Sequence, residues 1–168
     1  RDKPILMRTI NQFQQADQID EIVVVAHRDE VDYCRTEIIN NYQLDKVKRV
    51  VAGGSSRQES VHNGLLAVDE TADFVLIHDG ARPLLTISLI NNIIEEVRKY
   101  KAVITGVPVK DTVKVIDQDQ VVVNTPDRSQ LVAVQTPQAF TRDLVMEAYQ
   151  QAEEEGVAGT DSSSLVER

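Results

Sequence analysis

His78 and Asp79 close an apolar run, Phe74 to Ile77, and are followed by Gly80, Ala81, Arg82 and Pro83. A carboxylate at the end of a buried strand can hold a divalent metal. In an open α/β sheet, ligands gather where strands end and loops begin. The small residues after Asp79 let a ligand approach the backbone. Arg82, three residues on, presents a guanidinium fork that fits an oxyanion. This combination suits a metal–phosphate site. It would equally suit a strand end closed by a surface ion pair, and the stretch alone leaves both readings open.

A second segment, VAGGSSRQESVHNGL at 51–65, runs from an apolar stretch through two glycines into a helical pattern. Backbone N–H groups and a helix N-terminus beside a sheet edge can receive an anion or the edge of a nucleobase. Gly53 and Gly54 permit close approach, Ser55, Ser56 and Ser60 offer hydroxyls, and Arg57 adds charge. The GxxxxGK[ST] spelling of a P-loop is absent, and a plain strand–helix turn has the same composition. Three further segments, PVKDTVK (108–114), TPDRSQLVAVQTPQAF (125–140) and GTDSSSLVE (159–167), add Lys110, Lys114, Arg128, Thr112, Thr136 and Thr160. Guanidinium for phosphate and hydroxyl for hydroxyl would suit a phosphorylated polyol. Each segment could also be a solvated hairpin face or a helix cap, and Thr160 or Asp161 is an ordinary N-cap choice.

The elements that must position these residues follow from periodicity. Helical spacing covers 4–16 (Ile5, Met7, Ile10, Phe13), 29–42 (Val31, Cys34, Ile38, Tyr42), 56–69, 86–100 and 142–155, the last ending at Gly156. Strand-like runs lie at 21–26, 47–52, 74–78 and 102–109. This alternation predicts an α/β domain whose mostly parallel sheet is flanked by helices. It then breaks: residues 111–116 and 121–125 flank the turn Asp117–Gln120 and read as a β-hairpin that projects from the body. Residues 131–140 return as a strand and loop. The expectation is a single domain over 1–168 with an arm at about 110–130.

Of the 168 residues, 42% are apolar and 27% charged, as in a soluble globular domain. The net charge of −9 argues against a broad nucleic-acid or acidic-membrane surface, so an anionic ligand needs a local basic cluster. No membrane-spanning run is legible. The single cysteine, Cys34, excludes an internal disulfide framework, suits a reducing cytoplasm, and is expected to pack. His27, His62 and His78 have no metal-ligand spacing, and His78 reads as packing or capping the strand end. The Asp117-x-Asp119 pair sits in a polar turn, and no GxSxG elbow is present.

HDGARP, PVKDTVK and QTPQAF in series, with the 51–65 and 159–167 segments, make the chain resemble the 2-C-methyl-D-erythritol 4-phosphate cytidylyltransferase family along essentially its whole length. The resemblance implies a Rossmann-like α/β domain whose β-arm reaches across a homodimer. It implies a reaction of CTP with methylerythritol phosphate, releasing pyrophosphate, with Mg²⁺. Gly53, Gly54 and Ser60 match positions that recognise cytosine. Asp79 matches the metal-holding aspartate, with Gly80 contacting nucleotide. Arg82, Thr136 and Thr160 match positions around the methylerythritol phosphate. Thr112 and Arg128, on the arm, would serve the other subunit's site, Arg128 orienting the incoming phosphate.

The family pattern also has an opening strand with a Gly-rich loop bearing an arginine and then a lysine, and a closing Asn-Ile-Lys segment. These 168 residues hold neither, and Ser55 stands where an acidic residue is common. A protein of these residues alone is expected to be a poor catalyst. A ribitol 5-phosphate cytidylyltransferase shares the nucleotide half, but DTVK and TPDR fit the methylerythritol type better. A non-catalytic dimerising remnant of the fold is the alternative from another class.

Overall fold

The computed structural model describes residues 3–168. Helix α1 (Ile5–Gln15) opens it, with Met7, Thr9, Ile10 and Phe13 turned inward. Strand β1 (Ile22–Ala26) follows, then a 3-10 turn, Arg28–Glu30. The helical stripe expected over 29–42 is built differently. It is one α-helical turn, α2 (Val31–Tyr33), continued by a π-helical run, Cys34–Asn40. The wider π turn buries Cys34 together with the sequence neighbours Ile38 and Ile39. Cys34 packs as expected, and burial, helped by the nearby Glu30 charge, raises its thiol pKa.

Strand β2 (Val47–Ala52), α3 (Arg57–Leu66), β3 (Phe74–Ile77), α4 (Ile87–Tyr100) and β4 (Ala102–Pro108) continue the alternation. The hairpin strands β5 (Val115–Ile116) and β6 (Val122–Asn124) follow. Then come β7 (Val132–Thr141), α5 (Arg142–Glu155) and the short α6 (Ser162–Val166). Gly156 ends α5 in the left-handed conformation, φ 66°, which glycine adopts without steric cost.

The fold is α/β, with helices flanking the strands and a projecting hairpin. Strands β1 and β2 pair in parallel. Strand β7 lies between β3 and β4 and is antiparallel to both, so β3 and β4 share a direction. Between β4 and β7 lie only the hairpin and a 3-10 turn, Arg128–Gln130, with no α-helical crossover by which the chain could return in parallel. Strand β7 also carries an irregularity. Ile104 pairs with Gln138 but the next residue, Thr105, pairs with Gln135, leaving Thr136 and Pro137 as extra residues. Proline cannot donate to a ladder and is tolerated inside a sheet at such a bulge. Thr105 Oγ1 instead donates to the Pro137 carbonyl at 3.1 Å.

One core cluster joins Met7, Ile10, Val24, Cys34, Ile38, Ile39 and Leu44. Another joins Leu65, Val75, Phe140, Val145, Tyr149, Ala152 and Leu165. Strands β1 and β3 are not hydrogen-bonded to one another. A cavity of about 1510 Å³ runs between them and opens toward the Gly53–Gly54 loop and Asp79. The arm carries its apolar residues outward: Val115, Ile116, Val121, Val122 and Val123 are all exposed. No described helix is long and apolar enough to cross a membrane.

Candidate active site

Strand β3 stops at Ile77, and the next five residues make a tight turn in which the Arg82 N–H donates to the Asp79 carbonyl at 3.0 Å. Three parts of the chain fix that turn. From α1, the buried Thr9 hydroxyl donates to the Gly80 carbonyl at 2.7 Å, and the Phe13 ring lies 5.3 Å from that of His78. From the bulge in β7, Thr136 Oγ1 accepts the Asp79 N–H at 3.2 Å and lies 3.0 Å from His78 Nδ1. Within the turn, His78 Nε2 lies 3.1 Å from the Arg82 carbonyl oxygen. Burial lowers the His78 pKa, against the opposing effects of its hydrogen bonds and the Asp79 charge.

The Asp79 carboxylate is flanked by two guanidiniums. Arg82 Nε donates to Oδ2 at 3.0 Å, and Arg57 Nη2, from the start of α3, stands 3.8 Å from Oδ1. Arg82 also donates to Gln135 Oε1. Arg57 is the basic residue whose role the sequence left undefined. Its place beside Asp79 is created by the α3 N-terminus meeting the β3 end. Gln135 is another residue the sequence reading did not single out. Its signal was the Thr-Pro pair that follows it, since a proline in a strand marks a bulge.

The loop after β2 forms the other wall. Ser56 caps α3, accepting the Glu59 N–H at 3.0 Å. Ser60 Oγ accepts the Gly54 N–H at 3.0 Å and donates to the Ser56 carbonyl at 2.8 Å. Glu59 folds back over the loop and accepts from the Ser55 hydroxyl at 2.6 Å and its N–H at 2.7 Å. Those two bonds hold its carboxyl below the usual carboxylate range. A Cβ on Gly54 would collide with the Glu59 side chain as it folds over the loop, so glycine suits this close approach.

The third wall is the GTDSSS segment. Asp161 caps α6 with a reciprocal capping box. Gln138, buried in β7, donates to Asp161 Oδ2 at 2.6 Å and accepts the Ser163 N–H at 3.2 Å. Burial works to raise the Asp161 pKa, but bonds from the Ser164 N–H and from the Gln138 and Ser163 side chains outweigh it, and the net direction is down.

Two cavities meet at this place. The larger reaches Gly53, Gly54, Ser60, Asp79 and Gly80. The smaller, about 340 Å³, is lined by Asp79, Arg82, Thr136 and Thr160 among others. Asp79 and Arg57 border both. Thr112 and Arg128 border neither: they are exposed on the arm, where Arg128 Nη1 donates to the Lys110 carbonyl at 2.8 Å. Among the described residues no group of three His, Cys, Asp or Glu side chains is placed to hold a metal.

The family model described as 2-C-methyl-D-erythritol 4-phosphate cytidylyltransferase matches residues 1–168. The chain belongs to this family. A family member from Caldanaerobacter subterraneus subsp. tengcongensis is 46% identical over 166 residues, covering 99% of this chain and 73% of its own. One from Clostridium acetobutylicum is 47% identical over 165 residues, covering 98% and 72%. Among solved structures, the 4-diphosphocytidyl-2C-methyl-D-erythritol synthase of Anaerococcus prevotii superposes with a TM-score of 0.90 at 36% identity, over 98% of this chain and 71% of that one. The 2-C-methyl-D-erythritol 4-phosphate cytidylyltransferase of Francisella tularensis gives 0.82 at 29%, over 98% and 74%.

Proposed function

We propose that this family member transfers the cytidylyl group of CTP to 2-C-methyl-D-erythritol 4-phosphate, with the chemistry at the meeting point of the two cavities. The observation that carries this reading is the position of Asp79 with Arg57 and Arg82, bordering both the Gly53–Gly54 side and the Thr160 side. A nucleotide in the larger cavity and a polyol phosphate in the smaller would bring their phosphates together there.

A phosphate oxygen of the substrate attacks the α-phosphorus of CTP. The new P–O bond forms as the bond to the bridging β-phosphate oxygen breaks, and pyrophosphate leaves with that electron pair. A phosphate monoester is already largely dianionic at neutral pH, since its second pKa is about 6. No general base is needed. The barrier is the meeting of two anions, and fixed cations and positioning lower it. Arg57 and Arg82 supply positive charge on this chain. Gly53, Gly54, Ser60 and Gly80 bind the nucleotide, and Arg82, Thr136 and Thr160 bind the substrate.

One half-exposed carboxylate, Asp79, fits a Mg²⁺ site of the open kind, in which one or two carboxylates share the ion with phosphate oxygens and water. Bound Mg²⁺ would neutralise phosphate charge. The exposed apolar face of the arm supports a homodimer, which would bring Thr112 and Arg128 to the partner's site, with Arg128 aiming the incoming phosphate. A lone buried cysteine suits the cytoplasm. The opening strand and Gly-rich loop of the family pattern would find room in the cavity between β1 and β3.

The test supplies full-length protein with CTP, Mg²⁺ and either methylerythritol phosphate or ribitol 5-phosphate, and follows pyrophosphate release. Turnover well above that with ribitol 5-phosphate is expected for the first substrate. Equal rates would overturn the substrate assignment, and CTP binding without turnover of either would favour the non-catalytic remnant.

A further inference from the structure

Within that reading, we infer that His78 is the positioning residue of the site, an imidazole that clamps the Asp79–Arg82 turn to the bulge of β7. The Arg82 carbonyl can only accept, so His78 Nε2, 3.1 Å away, carries a hydrogen. The Asp79 N–H can only donate, so Thr136 Oγ1 accepts it. The Thr136 hydroxyl has one proton of its own. His78 Nδ1, at 3.0 Å, is the acceptor in reach, and takes that proton when Nδ1 is bare. With hydrogen on Nε2 and none on Nδ1, each of these groups is satisfied by a single tautomer.

The arrangement has two effects. First, the backbone at both ends of the turn is tied to fixed points: Asp79 through its N–H to β7, and Arg82 through its carbonyl to the ring. The two side chains that border the cavities therefore leave a braced turn. The ring is itself braced by Phe13 of α1, 5.3 Å away and inclined at 58°. Second, the orientation of the Thr136 hydroxyl is set. Having donated to His78, it has a lone pair left and no proton. It can accept from a substrate hydroxyl and cannot donate to a phosphate oxygen.

The experiment compares His78→Phe, His78→Gln and His78→Asn in the full-length protein. Phenylalanine keeps the packing on Phe13 and removes both hydrogen bonds. Glutamine retains a donor for the Arg82 carbonyl, and asparagine retains an acceptor for Thr136. We expect His78→Phe to melt within a few degrees of wild type and to bind CTP with similar affinity. Its kcat should fall by about 10²-fold, the scale of a misplacement near 1 Å. His78→Gln should recover about a tenth of the wild-type rate, because it restores the clamp at Arg82. A His78→Phe enzyme with near-normal kcat would overturn the inference, since filling the space would then suffice. Losses that merely track the melting temperature across the three variants would overturn it as well.

A second readout does not depend on activity, and so separates this inference from the proposed reaction. In ¹⁵N-histidine-labelled protein, these 168 residues contribute three ring systems, and the signal lost in His78→Gln is that of His78. That ring should show the Nε2–H tautomer, and Thr136→Val should shift its Nδ1 signal. A ring with hydrogen on Nδ1, or an Nδ1 indifferent to Thr136→Val, would overturn the clamp whatever the enzyme turns over.

Discussion

Asp79 is half-exposed between two arginines, so its carboxylate contributes charge at a surface and little packing. Asp79→Asn keeps the shape and removes the charge. The expected outcome is a fall in kcat of about 10²–10³-fold, the scale seen when a group that stabilises transition-state charge is lost. Stability should change by no more than about 0.5 kcal/mol, as for surface substitutions. Steady-state kinetics at saturating Mg²⁺ together with thermal denaturation checks both halves, and near-normal turnover would remove Asp79 from the metal role. Asp79 and Arg82 were readable in the sequence because they lie in one short loop, where spacing alone brings them together. Arg57 and Gln135 were not, because they reach the site only when α3 and β7 are placed against β3. The sequence reading of His78 as packing or capping the strand end recognised its contact with the turn but not its partner, Thr136, which is 58 residues away.

At the scale of elements, β7 does most to build the site. Its bulge turns Thr136 toward the Asp79 turn, and one residue past Pro137 its Gln138 side chain holds α6 in place. Gln138→Ala would leave the Asp161 carboxylate and the Ser163 N–H each short of a partner. Losing partners of buried polar groups costs about 1–3 kcal/mol. At about 2–4 °C per kcal/mol for a chain of this size, the melting temperature should drop by several degrees. Because Thr160 stands beside Asp161, the KM for the polyol phosphate should rise more than that for CTP. A change confined to stability would show that Gln138 serves only the core. Helices α1, α4 and α5 were legible because each shows an apolar stripe in its own sequence. The π-helical run was not, since no local pattern distinguishes it from an ordinary helix. The direction of β7 could have been argued from the lack of an α-helical crossover between β4 and β7. The bulge was announced only by Pro137.

At the scale of the whole molecule, the hairpin leaves its apolar residues, Val115, Ile116 and Val121 to Val123, exposed. If the arm seats on a second copy, Arg82 and Arg128 of different chains act on one substrate. Arg82→Ala and Arg128→Ala should then each be nearly inactive as pure dimers. Mixed under subunit exchange, they should recover about a quarter of wild-type activity. Half of the randomly paired closed dimers are mixed, and each of those has one intact site of two. No recovery despite verified exchange would make Arg128 a residue of its own chain's site. The same strand that frames the candidate site leads from the core toward the arm. Residues 138–140 of β7 are held on both sides, by β3 and by β4, while 132–134 pair with β4 alone. Amide hydrogens should record this as a gradient along one strand. Exchange with solvent should be slowest around Ala139 and Phe140 and faster toward Val132, with the step at the bulge that carries Thr136. A ligand gripping Thr136 would move that step outward, so the time course of deuterium uptake along β7 would measure how far binding stiffens the path from the candidate pocket to the arm.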